Sequence, residues 1–308
     1  MKRTKKVSWL VLAAFIAIYF IWGTTYLANL FALRRMPPFV ISCLRYLTAG
    51  IVLVAWSLFK GIGLPKKSSY RVLCISGILM LIGGSGLIVF AEQYISSGYA
   101  AALVATEPLW FVFLDNKRWK LYFSSRLIFS GLLIGFAGIA AFALLAPTTN
   151  VGQGKYFLRG TILVLTSAIL WVVGTLYATR NTKADESNIG NTSIQLLAAG
   201  VCAAGIAGAK GEWHTFSLSG MDNAAWGGIL YLIVMGSLVA YLAFTWLVTI
   251  QPPAIVSTHT FVNPIVALLM GVFVANESVS RSQMLALCVA FLGMMLVQIG
   301  RNKLRLTQ

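Results

Sequence analysis

Ten apolar runs, each close to the length needed to cross a bilayer, fill almost the whole chain: Trp9–Leu33, Phe39–Phe59, Val72–Phe90, Ser97–Leu114, Leu127–Leu145, Phe157–Ala178, Ile189–Ala209, Ala225–Val248, Ala254–Ala275 and Met284–Ile299. A spanning helix takes about 17–25 such residues. In lipid every backbone N–H and C=O must be satisfied internally, so each run is read as a helix. The strands of a membrane barrel would alternate apolar and polar residues at period two, and these runs do not. Only 10% of the residues are charged and 58% are hydrophobic, against about 25% charged in soluble proteins. The expectation is an all-α, polytopic membrane protein with the lipid bilayer as its solvent. The longest breaks, 146–156 and 210–224, are too short to fold as soluble domains.

The net charge of +16 does not indicate nucleic acid, because the basic residues sit in the breaks, where topology rules place them. With the N-terminus in the cytoplasm, the inner side receives Lys2, Arg3, Lys5, Lys6, Lys60, Lys66, Lys67, Arg71, Lys117, Arg118, Lys120, Arg126, Arg180, Lys183, Arg301, Lys303 and Arg305. The outer side receives Arg34, Arg35, Lys155, Arg159, Lys210 and Arg281. This bias predicts a multi-pass protein of the cell membrane with both termini cytoplasmic. The first apolar run exceeds the 7–15 residues typical of a signal peptide and is read as an uncleaved helix. Cys43, Cys74, Cys202 and Cys288 all lie within apolar runs without metal-ligand spacing. They read as small packing residues, and neither a metal nor a cofactor is expected.

The two halves repeat. "GTTY" at 23–26 matches "GTLY" at 174–177, and "RYLTAG" at 45–50 matches "QLLAAG" at 195–200. "ATEPLWFVFL" at 105–114 matches "FVNPIVALLM" at 261–270, aligned on Pro108 and Pro264. Residues 9–146 and 157–300 then hold five helices each. Five is odd, so the second unit lies inverted relative to the first. The loop charges agree: the breaks after the second and fourth helices are rich in basic residues, and their counterparts after the seventh and ninth are poor. Ten helices in two inverted five-helix repeats is an architecture of secondary transporters, which hold substrate near the repeat interface.

At these residues the chain resembles the EamA-type carriers of the drug/metabolite transporter superfamily. The resemblance covers roughly residues 9–300 and rests on "IWGTTYLANLFALRRMPPFVISCLRYLTAG" at 21–50, "AEQYISSGYAALVATEPLW" at 91–110 and "FVNPIVALLMGVFVANESVS" at 261–280. It implies ten helices around a central cavity and efflux of small metabolites, often amino acids or other amphiphilic compounds. The chain departs from the family pattern in two places. The second half keeps part of the usual Gly-Glu element in "ANESVS", with Glu277, while the first half has no glutamate there. Glu107 also stands where an uncharged residue is usual.

Arg45 is the one basic residue deep inside a helical run, Arg159 lying at the very start of its own. Charged residues in spanning helices face a cavity or a partner, so Arg45 reads either as an anchor for a substrate carboxylate or as a structural or snorkelling cation. Its repeat counterpart, Gln195, is neutral. Glu107 falls within about one turn of Arg45 in depth and is a candidate partner, gate or proton site. Pro108 beside it, and Pro264 in the other half, are candidate hinges, since proline frees the carbonyl four residues earlier. His259 and Asn263 share a face at i, i+4. Trp22, Tyr26, Trp171, Tyr177 and Tyr241 lie deep enough to wall a cavity for an amphiphilic substrate.

No strand–glycine-loop–helix unit for a nucleotide is present, so transport by alternating access would run on gradients, with protons a candidate coupling ion. The aspartates lie in or beside breaks, and the constellations of an intramembrane enzyme are missing. The expectation is a non-enzymatic carrier of a small molecule, monomeric or homodimeric. A membrane-embedded enzyme and a non-transporting scaffold or channel are the alternatives. The topology is checked by single cysteines at Ser68 and Ser96 probed with an impermeant thiol reagent. In intact cells position 96 should label and position 68 should not, and the reverse pattern would invert the orientation.

Overall fold

The computed structural model describes residues 2–145, 155–182, 187–275 and 280–306, and Lys183, Asp185 and Glu277 lie outside them. The chain is helical throughout these residues. The long helices are α1 (Lys2–Leu33), α2 (Pro38–Phe59), α3 (Lys67–Ala91), α4 (Ser97–Leu114), α5 (Arg126–Leu144), α6 (Lys155–Asn181), α7 (Asn188–Ala209), α8 (Asn223–Ile250), α9 (Pro253–Val274) and α10 (Arg281–Leu306). Among the described residues, eight helices are long and apolar enough to cross a bilayer. The apolar parts of α5 and α10, Arg126–Phe142 and Arg281–Val297, are shorter. Large apolar side chains such as Phe59, Leu144 and Phe273 are mostly exposed, as expected where the surrounding medium is lipid. The protein is therefore an all-α, multi-pass membrane protein.

Helix starts follow local chemistry. Pro37 and Pro38 begin α2, and neither has an N–H to leave unsatisfied. The first donors available are Phe39 N and Val40 N, and both donate to the Glu212 carboxylate, at 2.8 and 3.3 Å. Asp222 caps α8 by accepting from Ala225 N at 2.8 Å and also pairs with Arg35 at 3.0 Å. The backbone bond, then Arg35, holds the Asp222 carboxyl below its ordinary range. At the other end of the bundle, buried Asp115 accepts from Arg180 Nη2 at 2.9 Å and Tyr122 OH at 3.0 Å, joining the end of α4 to the end of α6. Burial, reinforced by the Asp115 charge, pushes the Tyr122 hydroxyl above its usual range.

Two features depart from regular α-helix. Ile78–Gly86 in α3 and Leu232–Tyr241 in α8 are π-helical, far longer than the single-turn bulges that are usual. α4 is interrupted at Ala105–Thr106, and Pro108 opens its second segment. That matches the expected effect of Pro108. Pro264 behaves differently, lying well inside the helical segment His259–Ala275, while α9 is interrupted earlier, at Ser257–Thr258. The run Ser257-Thr258-His259-Thr260 explains this: each of the three hydroxyls bonds a carbonyl three residues back and so competes with the helical ladder.

Close helix approach is built on glycine. α2 and α7 pack together, and Leu47 sits against Gly200 while Leu197 sits against Gly50. A Cβ on Gly200 would lie 2.6 Å from Leu47 Cγ and 2.8 Å from its backbone N. α5 and α10 pair through Gly131, Gly135 and Gly293 in the same manner. α1 packs on α8 and α9, and α6 packs on α3 and α4. Gly200→Val should therefore destabilise the protein by about 1–3 kcal/mol through overpacking. Gly205→Ala, which meets nothing within 4 Å, should be neutral or gain up to about 1 kcal/mol of helix propensity. Thermal unfolding of the two variants in detergent checks this, and equal behaviour would dismiss the close-packing role.

Candidate functional site

Helices α1, α2, α3, α4, α6, α8 and α9 enclose one cavity, and a buried cation stands in its wall. Arg45 is 5% exposed. Its Nε donates to Ser237 Oγ at 2.8 Å and its Nη1 to Ser85 Oγ at 3.4 Å. The guanidinium also lies 5.2 Å from the Tyr46 ring centre. Ser85 belongs to the π segment of α3 and Ser237 to that of α8. Ser237 Oγ passes its own proton to Leu232 O, five residues back, the spacing a π-helix provides. Gly236 leaves room beside it, since a Cβ there would lie 2.8 Å from Arg45 Nη2 and the guanidinium would have to shift. The expected pairing of Arg45 with Glu107 is not formed: the hydrogen bonds of Arg45 go to the two serines.

Glu107 nonetheless lines the same cavity, 4% exposed, with Oε2 buried and without a hydrogen-bond partner. Its place follows from the α4 interruption, which puts it at the start of the second segment. Asn29 Oδ1 is a second buried acceptor without a partner, and Trp171 Nε1 is a buried donor without one. His259 and Asn263 are brought together as their spacing implies. In the amide orientation that satisfies both ends, Asn263 donates to His259 O at 2.9 Å and Tyr19 O at 3.0 Å and accepts from His259 Nδ1 at 3.1 Å. The proton then resides on Nδ1 and Nε2 carries a lone pair. That Nε2 is buried, unpartnered, and lines the cavity.

The apolar wall is an aromatic cluster. Trp22 lies edge-on to Trp171, with centroids 5.4 Å apart, and to His259 at 4.7 Å. Phe244 packs against Trp22 at 5.2 Å and Trp171 at 5.1 Å, and Tyr241 against Trp171 at 6.2 Å. Trp22 Nε1 donates to Gly236 O at 3.2 Å, which ties the cluster to the π segment holding Arg45. Tyr26 completes the lining near Glu107.

The cavity thus gathers Trp22, Tyr26, Arg45, Glu107, Trp171, Tyr241, His259 and Asn263 of the residues singled out in the sequence. Gln195 is placed elsewhere. It lines a separate cavity between α3, α6, α7 and α8, donates to Ser76 Oγ at 2.9 Å and accepts from Tyr241 OH at 3.0 Å. Tyr177 lines neither cavity. Pro108 and Pro264 are not lining residues either and act, if at all, through the segments they adjoin. Sequence reasoning missed Ser85, Ser237, Asn29 and Phe244. Ser85 sits in "GGSG", which reads as a packing stripe. The available signal was that Ser85 and Ser237 are separated by nearly the same offset as the other repeat pairs.

The cavity volume is about 60 Å³, room for a few waters and well short of the several hundred Å³ of a metabolite site. Admitting a metabolite requires the walls to part. Toward the ends of α1, α6 and α7, a larger open cleft of about 780 Å³ is edged by Arg34, Arg35, Arg159 and Lys210. Lys210 and Arg159 lie over the Phe90 ring at 4.6 and 5.6 Å.

Comparison with known proteins accounts for the bundle. The EamA-like transporter family matches residues 7–144 and again 158–299. The inner membrane transporter YedA of Escherichia coli strain K12 is 33% identical over 291 residues, covering 94% of this chain and 90% of that protein. The transporter YvbV of Bacillus subtilis strain 168 is 25% identical, covering 96% and 93%. Protein PecM of Dickeya dadantii is 25% identical, covering 90% and 89%. A solved crystal structure superposes with a TM-score of 0.71 at 17% identity, covering 96% of this chain and 99% of that one, and it supports the fold. The chain belongs to the EamA-like transporter family: it is a membrane transporter, not an enzyme.

Proposed function

We propose that the chain is a ten-span secondary carrier of two inverted five-helix repeats, 9–146 and 157–300, which exports small amphiphilic metabolites of the amino-acid type by alternating access. The carrying observation is the cavity itself: a buried guanidinium held between two π-helical segments, opposite unpartnered acceptors on Glu107 and Asn29, beside an aromatic cluster. Such a lining is complementary to a carboxylate, an ammonium and an apolar side chain on one small molecule. Arg45 would receive the carboxylate, the Glu107 and Asn29 oxygens the ammonium, and Trp22 and Trp171, backed by Phe244, the apolar part. A proton on Glu107 in the empty state would couple transport to the proton gradient, because an unpaired carboxylate is costly to bury.

Several observations support the repeat. The family match falls once on each half. Leu47 against Gly200 is mirrored by Leu197 against Gly50, and the π segments recur in the third helix of each half. The helix pairings α2 with α7 and α5 with α10 join equivalent helices. The basic-residue bias and the location named for YedA support an inner, cell-membrane protein with both termini cytoplasmic. On that reading the basic cleft is the outer mouth. The protein works as a monomer or homodimer.

Counterflow in proteoliposomes tests the reading: a carrier accumulates labelled amino acid against unlabelled load and saturates, whereas a channel shows no counterflow and a scaffold moves nothing. Arg45→Gln should fold and lose at least about tenfold in kcat/KM, since one charge-assisted hydrogen bond is worth about 1.5–3 kcal/mol. Arg45→Lys should not restore it, because an ammonium lacks the planar fork that spans both serines. Full transport by either variant would reject the anchor role. Glu107→Gln removes an unpartnered buried carboxylate, so it should keep or raise the thermal midpoint while transport falls. A fall in stability with transport retained would mark Glu107 as structural.

A further inference from the structure

The cavity that holds Gln195 has its own chemistry. It lies between α3, α6, α7 and α8, with a volume of about 60 Å³, and among the described residues its lining contains no charged side chain. Six threonines and three amides supply its polar atoms. A threonine hydroxyl has one proton and two acceptor lone pairs, and in five of the six the proton is already committed. Thr175 and Thr179 donate to Trp171 O and Thr175 O at 2.8 and 2.9 Å. Thr245 and Thr249 donate to Leu242 O and Trp246 O at 3.0 and 2.7 Å. Thr192 lies 2.8 Å from Thr245 Oγ1. The Thr245 proton is spent on Leu242, so Thr192 is the donor of that pair.

The amides continue the pattern. Asn188 Nδ2 donates to Leu242 O at 3.3 Å and Gln195 Nε2 to Ser76 Oγ at 2.9 Å. Asn191 Oδ1 is buried, on a residue only 9% exposed, and has no hydrogen-bond partner. What remains available to an occupant is the threonine lone pairs and the Asn191 carbonyl oxygen, together with neutral amide N–H groups. An anion finds no free charged donor there. A divalent cation would need carboxylate ligands, and none lines the site.

We infer that this cavity is a second binding site, for a compact monovalent cation, either the primary ammonium of the transported metabolite or an alkali-metal ion. The inference rests on the carrier reading of the Arg45 cavity, because one residue joins the two. The Tyr241 side chain lines the Arg45 cavity, while its hydroxyl donates to Gln195 in the second. Breaking that one bond opens a route from the neutral oxygen-lined cavity, near the cytoplasmic ends of α6, α7 and α8, toward Asn29 and Glu107. A cationic group would exchange one set of acceptors for the next without crossing a purely apolar barrier.

Thermal unfolding of the purified full-length protein tests this in sodium, potassium and methylammonium chloride against N-methylglucamine chloride, whose cation is too large, at equal ionic strength. Binding raises the midpoint saturably. Stabilisation by sodium or potassium identifies an alkali ion, and stabilisation by methylammonium alone identifies the substrate's ammonium. No stabilisation over N-methylglucamine overturns the site. Asn191→Asp should lower the half-saturating concentration about tenfold and Asn191→Leu should raise it about tenfold. An unchanged value in Asn191→Asp overturns the assignment even where Asn191→Leu fails to fold. Counterflow is measured on the same preparations. Transport by the wild type without a cation effect removes this site and leaves the carrier reading. A cation effect without transport removes the carrier reading and leaves the site.

Discussion

A guanidinium taken out of water needs partners for its donors, and the way Arg45 finds them organises the centre of this protein. Its two serine partners come from helices in different halves of the chain. Both sit in stretches where the helix has widened to π geometry. Regular α-helix at either place would rotate Ser85 or Ser237 by part of a turn and leave the cation short of partners. The widened stretches are held open by neighbours: Gly84 lets α3 approach Trp171, and Gly236 leaves room for the guanidinium. One buried charge thus fixes the register of two helices and the position of the aromatic cluster bonded to them through Trp22.

The positions of the helices were legible because the bilayer imposes a length and the breaks carry proline, glycine and charge. Much of the site was legible for a similar reason: Arg45 and Glu107 are conspicuous wherever charge is costly, and His259 with Asn263 declared itself by one-turn spacing. Serine gives no such signal. Ser85 and Ser237 resemble dozens of small residues that merely allow packing, and nothing in "GGSG" announces a π-helix, which is set by tertiary partners. Gln195 shows the opposite failure. Repeat logic carried it to the place equivalent to Arg45, yet the two line different cavities, as the inverted repeat proposed above would require. The α9 interruption falls ahead of Pro264, where three hydroxyls bond the carbonyls of Ala254, Ile255 and Ser257.

The unequal use of equivalent positions also explains the chemistry of the two cavities. Where one half places arginine, the other places glutamine, and each recruits neighbours that suit it. Arg45 is met by hydroxyl oxygens and faces unpartnered acceptors across the cavity. Gln195 is met by Ser76 and Tyr241 and shares its cavity with threonines, five of which have committed their protons. The family match falls on both halves alike, and their electrostatics differ.

Glu212 gives its end of the bundle a mechanical property of its own. Its carboxylate belongs to the segment after α7 but bonds the first free N–H groups of α2, against which α7 already packs through reciprocal leucine and glycine contacts. α2 and α7 are therefore fastened twice, along their length and at one end. They form a single stiff spar with Arg45 fixed near the end that Glu212 fastens. On the alternating-access reading proposed above, the remaining helices swing around this spar. The Arg45 guanidinium then stays stationary while the solvent reaching it changes.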